Sequence, residues 1–137
     1  MYIYSKSLYQ PKYVYLENLL KPIKGIGYYT FNNGDDIMNP SNINSNSIFI
    51  FDDVACDKQD IIREYFSMGR HNHIDCFYLC QTYAKIPRHL LRDNANAFIL
   101  FKQDELNLKH LYNDHIGTDM SYDQFRKMCS LCWKEPY

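Results

Sequence analysis

Two adjacent carboxylates, Asp52 and Asp53, close an uninterrupted apolar run, Ile48-Phe49-Ile50-Phe51. Continuous runs of this kind mark strands covered on both faces, as in parallel sheets. In such a sheet the carboxyl end of a strand faces the ligand crevice. A carboxylate placed there can hold Mg²⁺, usually through water, while a phosphate supplies further ligands. A second acid beside it can orient or deprotonate an attacking water. On this reading Asp52 takes the metal and Asp53 activates the water. An Asp after a strand also caps helices, so the pair alone leaves both readings open.

Gln81 ends the next apolar run, Ile74–Cys80, and the topology expected for these runs brings it to the same crevice as Asp52. A neutral amide there can hold a lytic water or sense a terminal phosphate; it can equally be a polar strand end. Arg92 can pair with Asp93 or another neighbouring acid. Cys129 and Cys132 form a lone C-x-x-C, which would need two more ligands to hold zinc. The spacing of Cys76, Cys80, His71, His73, His110 and His115 fits no zinc module, so core or idle thiols are the plainer reading. Lys85, Arg88, Arg92 and Lys102 lie near Tyr83, Phe98 and Phe101, a mixture found on nucleic-acid surfaces and on solvated faces alike.

The elements that must position these groups are legible in outline. Tyr2-Ile3-Tyr4 reads as a short strand. Gln10–Leu20 carries apolar residues at Tyr13, Leu16, Leu19 and Leu20, the spacing of an amphipathic helix starting near Pro11. Gly27–Phe31 is a second strand. Residues 32–47 are polar and read as a surface loop with one helical turn near Ile37. A helix is expected over 57–68, a turn over 69–73, a short helix over 87–94, a strand over Ala97–Phe101 and helices over 104–115 and 121–134. The alternation predicts an α/β fold with a mostly parallel sheet and flanking helices. Neither a repeat nor a linker is evident, so residues 1–137 are expected to form a single domain.

Composition narrows the class. Hydrophobic residues make up 46% and charged residues 23%, which suits a globular chain rather than a disordered one. A formal net charge of −1 argues against coating nucleic acid by charge alone. No run approaches the roughly 18 apolar residues of a membrane-spanning helix, and the first residues lack the apolar core of a signal peptide. An intracellular protein without membrane partners is therefore expected. The five cysteines, an odd number, then read as free thiols.

Taken in order, the Ile48–Asp53 run, Gly69-Arg70-His71, Gln81-Thr82-Tyr83, Pro87, Arg92–Asn96 and AFILFK resemble the packaging ATPases of large DNA viruses, including poxviruses, in the FtsK–HerA superfamily. The opening YIYSKSLYQPKY looks like the segment that follows the P-loop helix in those enzymes, so the likeness covers residues 2 to about 115, with 116–137 as a C-terminal helix. It implies a P-loop NTPase core and an ATP-driven motor that translocates double-stranded DNA as a homo-oligomeric ring, in a viral factory, the cytoplasm or a virion. ATP and Mg²⁺ would be its cofactors. Asp52 would be the Walker B aspartate, Asp53 the adjacent acid and Gln81 the sensor, with Arg70 and Arg92 stabilising charge. The departure is equally plain: G-x-x-x-x-G-K-S/T begins at none of the five glycines, 25, 27, 34, 69 and 117. Without it the backbone cradle and lysine for the phosphates are missing, and with them the Walker A strand. The chain then reads as a fragment or degenerate copy, inactive alone, or as one that works beside a chain supplying the loop. The alternatives are a non-enzymatic binding module that keeps the fold, with DNA or protein as partner, and an unrelated metal or redox protein using Cys129 and Cys132.

Overall fold

The computed structural model describes residues 1–134, apart from the side chains of Arg88, Leu91 and Arg92. The chain divides into two compact units, Met1–Gln81 and Thr82–Tyr137.

The first unit is built on strands β1 (Tyr2–Ser5), β2 (Tyr29–Phe31), β3 (Ser47–Asp52) and β4 (Ile74–Leu79), with helices α1 (Pro11–Leu20) and α2 (Asp60–Met68). The strands form one sheet in the order β2-β1-β3-β4, and every neighbouring pair is parallel. Parallel neighbours need a crossover; α1 supplies it between β1 and β2, and α2 between β3 and β4. The parallel α/β arrangement expected of the apolar runs is thus present, with the Asp-bearing strand inside the sheet. Ser5 pairs with Asp52, and Asp52 with Leu79, so three strands end level with one another.

One face of the sheet is sealed by aromatic rings. Phe49 and Phe51 are fully buried and stack at 4.4 Å, and Tyr65 of α2 tilts onto Phe49 at 4.5 Å. Helix α2 starts at Asp60 rather than 57 because the Gln59 amide donates to the carbonyls of Val54 and Asp57, at 2.7 and 2.9 Å, and holds the preceding segment as a loop. The connection over 32–46 holds two 3₁₀ turns, Gly34–Asp36 and Pro40–Asn42, instead of one turn near Ile37. Each begins with an Asn whose side chain accepts a backbone N–H two residues on, an arrangement that competes with longer helix. Ile37, Pro40 and Ile43 are buried, and the Tyr65 hydroxyl donates to the Met38 carbonyl at 2.7 Å, so this polar stretch closes the core.

The opposite face is only partly covered. Helix α1 buries Tyr13 alone, while Val14, Tyr15 and Leu19 stay exposed. Of the expected apolar stripe, Tyr13 is buried, Leu16 and Leu20 are half-buried and Leu19 is exposed. On β3 and β4, Ile48, Phe77 and Leu79 are exposed too, although all-parallel sheets usually bury both faces. Among the described residues β4 pairs with β3 alone, which leaves its outer edge open.

The second unit packs α3 (Arg88–Asn94), α4 (Glu105–Leu111) and α5 (Tyr122–Cys132) without a strand among the described residues. Leu108, Leu111, Phe125 and Cys129 form its core, with Tyr112, Ile116, Met120 and Trp133 against it. The Asp104 side chain caps α4, and Ser121 with Gln124 makes a capping box on α5. The strand expected over Ala97–Phe101 is not formed. An apolar run becomes a strand only where a neighbour takes its backbone groups; here the Leu100 carbonyl accepts the Trp133 indole N–H at 2.9 Å, and Ile99 is 82% exposed. The helix expected over 104–115 changes to a π turn at Tyr112–Ile116.

Candidate functional site

A cleft of about 310 Å³ lies over the carboxyl ends of β1, β3 and β4, lined by Ser5, Lys6, Ser7, Gln10, Lys12, Asp52, Asp53, Leu79, Cys80 and Gln81. This is where an open parallel sheet places its ligands. The level strand ends account for its composition: β1 contributes Ser5 and the residues leading into α1, β3 contributes the two aspartates, and β4 leads into Cys80 and Gln81.

The aspartates differ sharply. Asp52 is buried, and its Oδ2 accepts hydrogen bonds from the Tyr13 hydroxyl, from Lys12 Nζ at 3.0 Å and from Ser5 Oγ at 3.4 Å. All three fall on one oxygen, so Oδ1 is the atom left to face a cation. Burial, and then the bond to Asp52, push the Tyr13 hydroxyl above its usual range. For Lys12, burial pulls downward, but the bond and the charge of Asp52 outweigh it and hold the ammonium up. Lys12 is thus a firm cation at neutral pH.

Asp53 is exposed and adopts a left-handed backbone, φ 54°. A non-glycine residue reaches that region at a cost and is found there at functional turns, Asp more readily than most. Its N–H still donates to the Leu79 carbonyl at 3.0 Å, extending the ladder by one step. The turn frees its carboxylate, which accepts from Gln81 Nε2 at 3.4 Å. Cys80 beside them is pushed up to about 11 by burial, followed by the charge of Asp53, so it is a neutral thiol and no nucleophile near pH 7.

Of the five residues singled out in the sequence, three converge here: Asp52, Asp53 and Gln81. Arg70 does not. It lies in the Gly69–Asn72 turn at the amino end of β4, so the length of that strand, roughly 20 Å at 3.3 Å per residue, separates it from the cleft. Arg92 is on α3, but its side chain lies outside the described residues. His71 and His73 share the turn with Arg70 and are exposed. Cys129 is buried in the helical core while Cys132 is exposed, and both are free thiols.

Sequence reasoning missed Ser5, Lys6, Lys12 and Tyr13. The only signal was a polar segment, Ser5-Lys6-Ser7, directly after a short apolar strand; its meaning depends on β1 lying next to β3, which pattern alone does not reveal. A third acid, beyond Asp52 and Asp53, was missed as well. Asp57 accepts from the Tyr4 hydroxyl and pairs with Lys6 Nζ at 3.5 Å.

The donor set at the strand ends suits Mg²⁺. Two carboxylates supply hard oxygen donors, and Mg²⁺ characteristically takes one or two of these and completes its shell with water and phosphate. Among the described residues no group of three or more His, Cys, Asp or Glu side chains is gathered as a metal cage. No described helix is long and apolar enough to cross a membrane. The chain matches no protein-family model, no curated protein and no solved structure.

Proposed function

We propose that this chain is the metal- and water-binding half of an ATPase core of the DNA-packaging type, working on Mg²⁺-ATP. The observation that carries this reading is the convergence of Asp52, Asp53 and Gln81 at the carboxyl end of neighbouring parallel strands, with the Gln81 amide 3.4 Å from the Asp53 carboxylate. In the proposed mechanism Asp52 would hold Mg²⁺, which would supply neutralisation of phosphate charge. Asp53 accepts a proton from the attacking water, and Gln81 orients that water.

The backbone cradle and lysine of a phosphate loop do not occur in residues 1–137, so a further strand and loop would supply them. The open outer edge of β4 and the exposed Phe77 and Leu79 beside it are compatible with such a strand. Double-stranded DNA as track and a ring of like subunits belong to the same reading and rest on the resemblance alone. In a ring, Arg70 would act on a neighbour's nucleotide, because it stands far from its own cleft.

The decisive experiment compares Mg²⁺-ATP hydrolysis by the chain alone with hydrolysis after a strand and G-x-x-x-x-G-K-S/T loop are joined or added to it. Negligible turnover is expected from the chain alone. Turnover that depends on Asp52 and Asp53 is expected when the loop is present. Robust hydrolysis by the chain alone, abolished by Asp52→Ala, would overturn the requirement for the loop. Full activity of Asp53→Asn in the completed protein would refute the role given to Asp53.

A second reading has its own support. The three hydrogen bonds on Asp52 Oδ2 make that residue a tie between α1 and the sheet. A binding module that keeps the fold without turnover needs only that tie, and it would leave both loop-supplied samples inactive.

A further inference from the structure

The cleft carries cations that the roles of Asp52, Asp53 and Gln81 do not use. Lys6 and Lys12 enter it on the segment joining β1 to α1 and on the first turn of α1. That segment is held in place: the Ser7 N–H donates to Ser5 Oγ at 3.2 Å, and the Gln10 N–H donates to the Ser7 carbonyl at 3.1 Å. Lys12 Nζ rests 3.0 Å from Asp52 and Lys6 Nζ 3.5 Å from Asp57, yet the two lysine side chains remain 53% and 49% exposed. Each ammonium thus reaches solvent on a long, adaptable stem while its carboxylate stays mostly buried, so an arriving anion can draw it into the cleft.

The lining therefore has two signs of charge on different elements. The β1–α1 segment brings two ammonium groups, and the end of β3 brings two carboxylates. A bare polyanion entering the cleft meets the aspartates, and a bare dication meets the lysines. A divalent cation complexed by a polyphosphate satisfies both, with its metal toward Asp52 and Asp53 and its phosphate oxygens toward Lys6 and Lys12. The volume, about 310 Å³, is at the small end of ligand sites. It suits a polyphosphate chain and leaves a base and ribose outside.

We propose that the cleft is a metal–polyphosphate site in which Lys6 and Lys12 are the phosphate-binding residues, so that the chain holds the phosphates of Mg²⁺-ATP from the β1–α1 side. This rests on the nucleotide reading above and adds the residues that grip the anion. With the metal at Asp52 Oδ1, Lys12 would turn from Oδ2 to a phosphate oxygen.

Isothermal titration of the full chain with sodium tripolyphosphate alone, MgCl₂ alone and the two together tests this. Saturable binding is expected in the combined arm and at least tenfold weaker binding in either single arm. Lys12→Met and Lys6→Met should each weaken the combined arm about tenfold, the size of one charge-assisted contact. Lys12→Arg should restore most of it, and Lys24→Met, in the turn beyond the far end of α1, should leave it unchanged. Circular dichroism establishes that each variant is folded; because Lys6 pairs with an acid outside the cleft lining, Lys6→Met reads the site even if Lys12→Met disturbs α1. Equal affinity in the wild type and the Lys6→Met/Lys12→Met double variant would overturn the proposal. So would an absence of binding in all three arms. Either result leaves the loop-supplied turnover assay to decide the ATPase reading separately.

Discussion

The two faces of the four-stranded sheet divide its labour. Under α2, Phe49, Phe51 and Tyr65 exclude water and carry no charge. On the α1 side, Ile3 and Tyr13 are buried, a buried carboxylate receives three donors, and Ile48, Phe77 and Leu79 remain partly exposed. The first face holds the fold through area and packing; the second holds it through a few polar contacts and leaves room for a ligand. Close packing on one side allows the other to keep a left-handed aspartate and a cleft.

The contrast is open to direct attack. The largest effect should come from Phe49→Ala, which empties space in the sealed face and should lower stability by about 3–5 kcal/mol in urea unfolding; a loss below 1 kcal/mol would mean the rings are not the main support. Next is Tyr13→Phe, which removes a donor from buried Asp52 and should cost roughly 1–3 kcal/mol. That variant should also loosen α1 in hydrogen exchange while α2 keeps its protection; equal loss in both helices would erase the division between faces. Phe77→Ser on the open face should change stability in urea unfolding by less than about 0.5 kcal/mol. A large destabilisation there would show that the open face is covered in solution.

The smallest effect is chemical. The Cys80 thiol, raised from 9.0 to about 11, should react slowly with iodoacetamide at pH 8, and its rate should climb until the pH nears 11. Folding linkage has a definite sign here. Between the unfolded value near 9 and the folded value near 11, the unfolded chain has released this proton and the folded chain has not. The contribution of Cys80 to stability is therefore intact below pH 9 and is lost as the pH rises toward 11. Rapid alkylation at pH 7, followed by peptide mass mapping, would contradict burial of this thiol.

Much of the first unit was legible in the sequence. Ile48–Phe51 and Ile74–Cys80 are largely apolar runs of strand length at βαβ spacing, and both become parallel strands of the sheet. Pro11 marked the start of α1 for a local reason, its fixed φ and missing N–H. Ala97–Phe101 misled because it carries the same apolar signal as β3 but has no neighbouring strand among the described residues to receive its backbone. The site was legible only along β3 and β4. Asp52, Asp53 and Gln81 follow their strands directly, whereas Lys6, Lys12 and Tyr13 belong to a segment more than thirty residues away in sequence.

What the sequence determined by itself, then, is the four strands of the first unit, their parallel habit and the acids at the end of β3, because period and composition act locally. The tertiary structure decided the rest. The order β2-β1-β3-β4 put Ser5 level with Asp52 and so laid the β1–α1 segment across the acids. It turned Asp52 from a presumed free metal ligand into the acceptor of Lys12 and Tyr13, and left Asp53 as the exposed carboxylate. Arg70 went to the opposite end of β4. Which strand lies beside which depends on the summed burial of the whole sheet and on crossover geometry, and neither is written in any short stretch of residues.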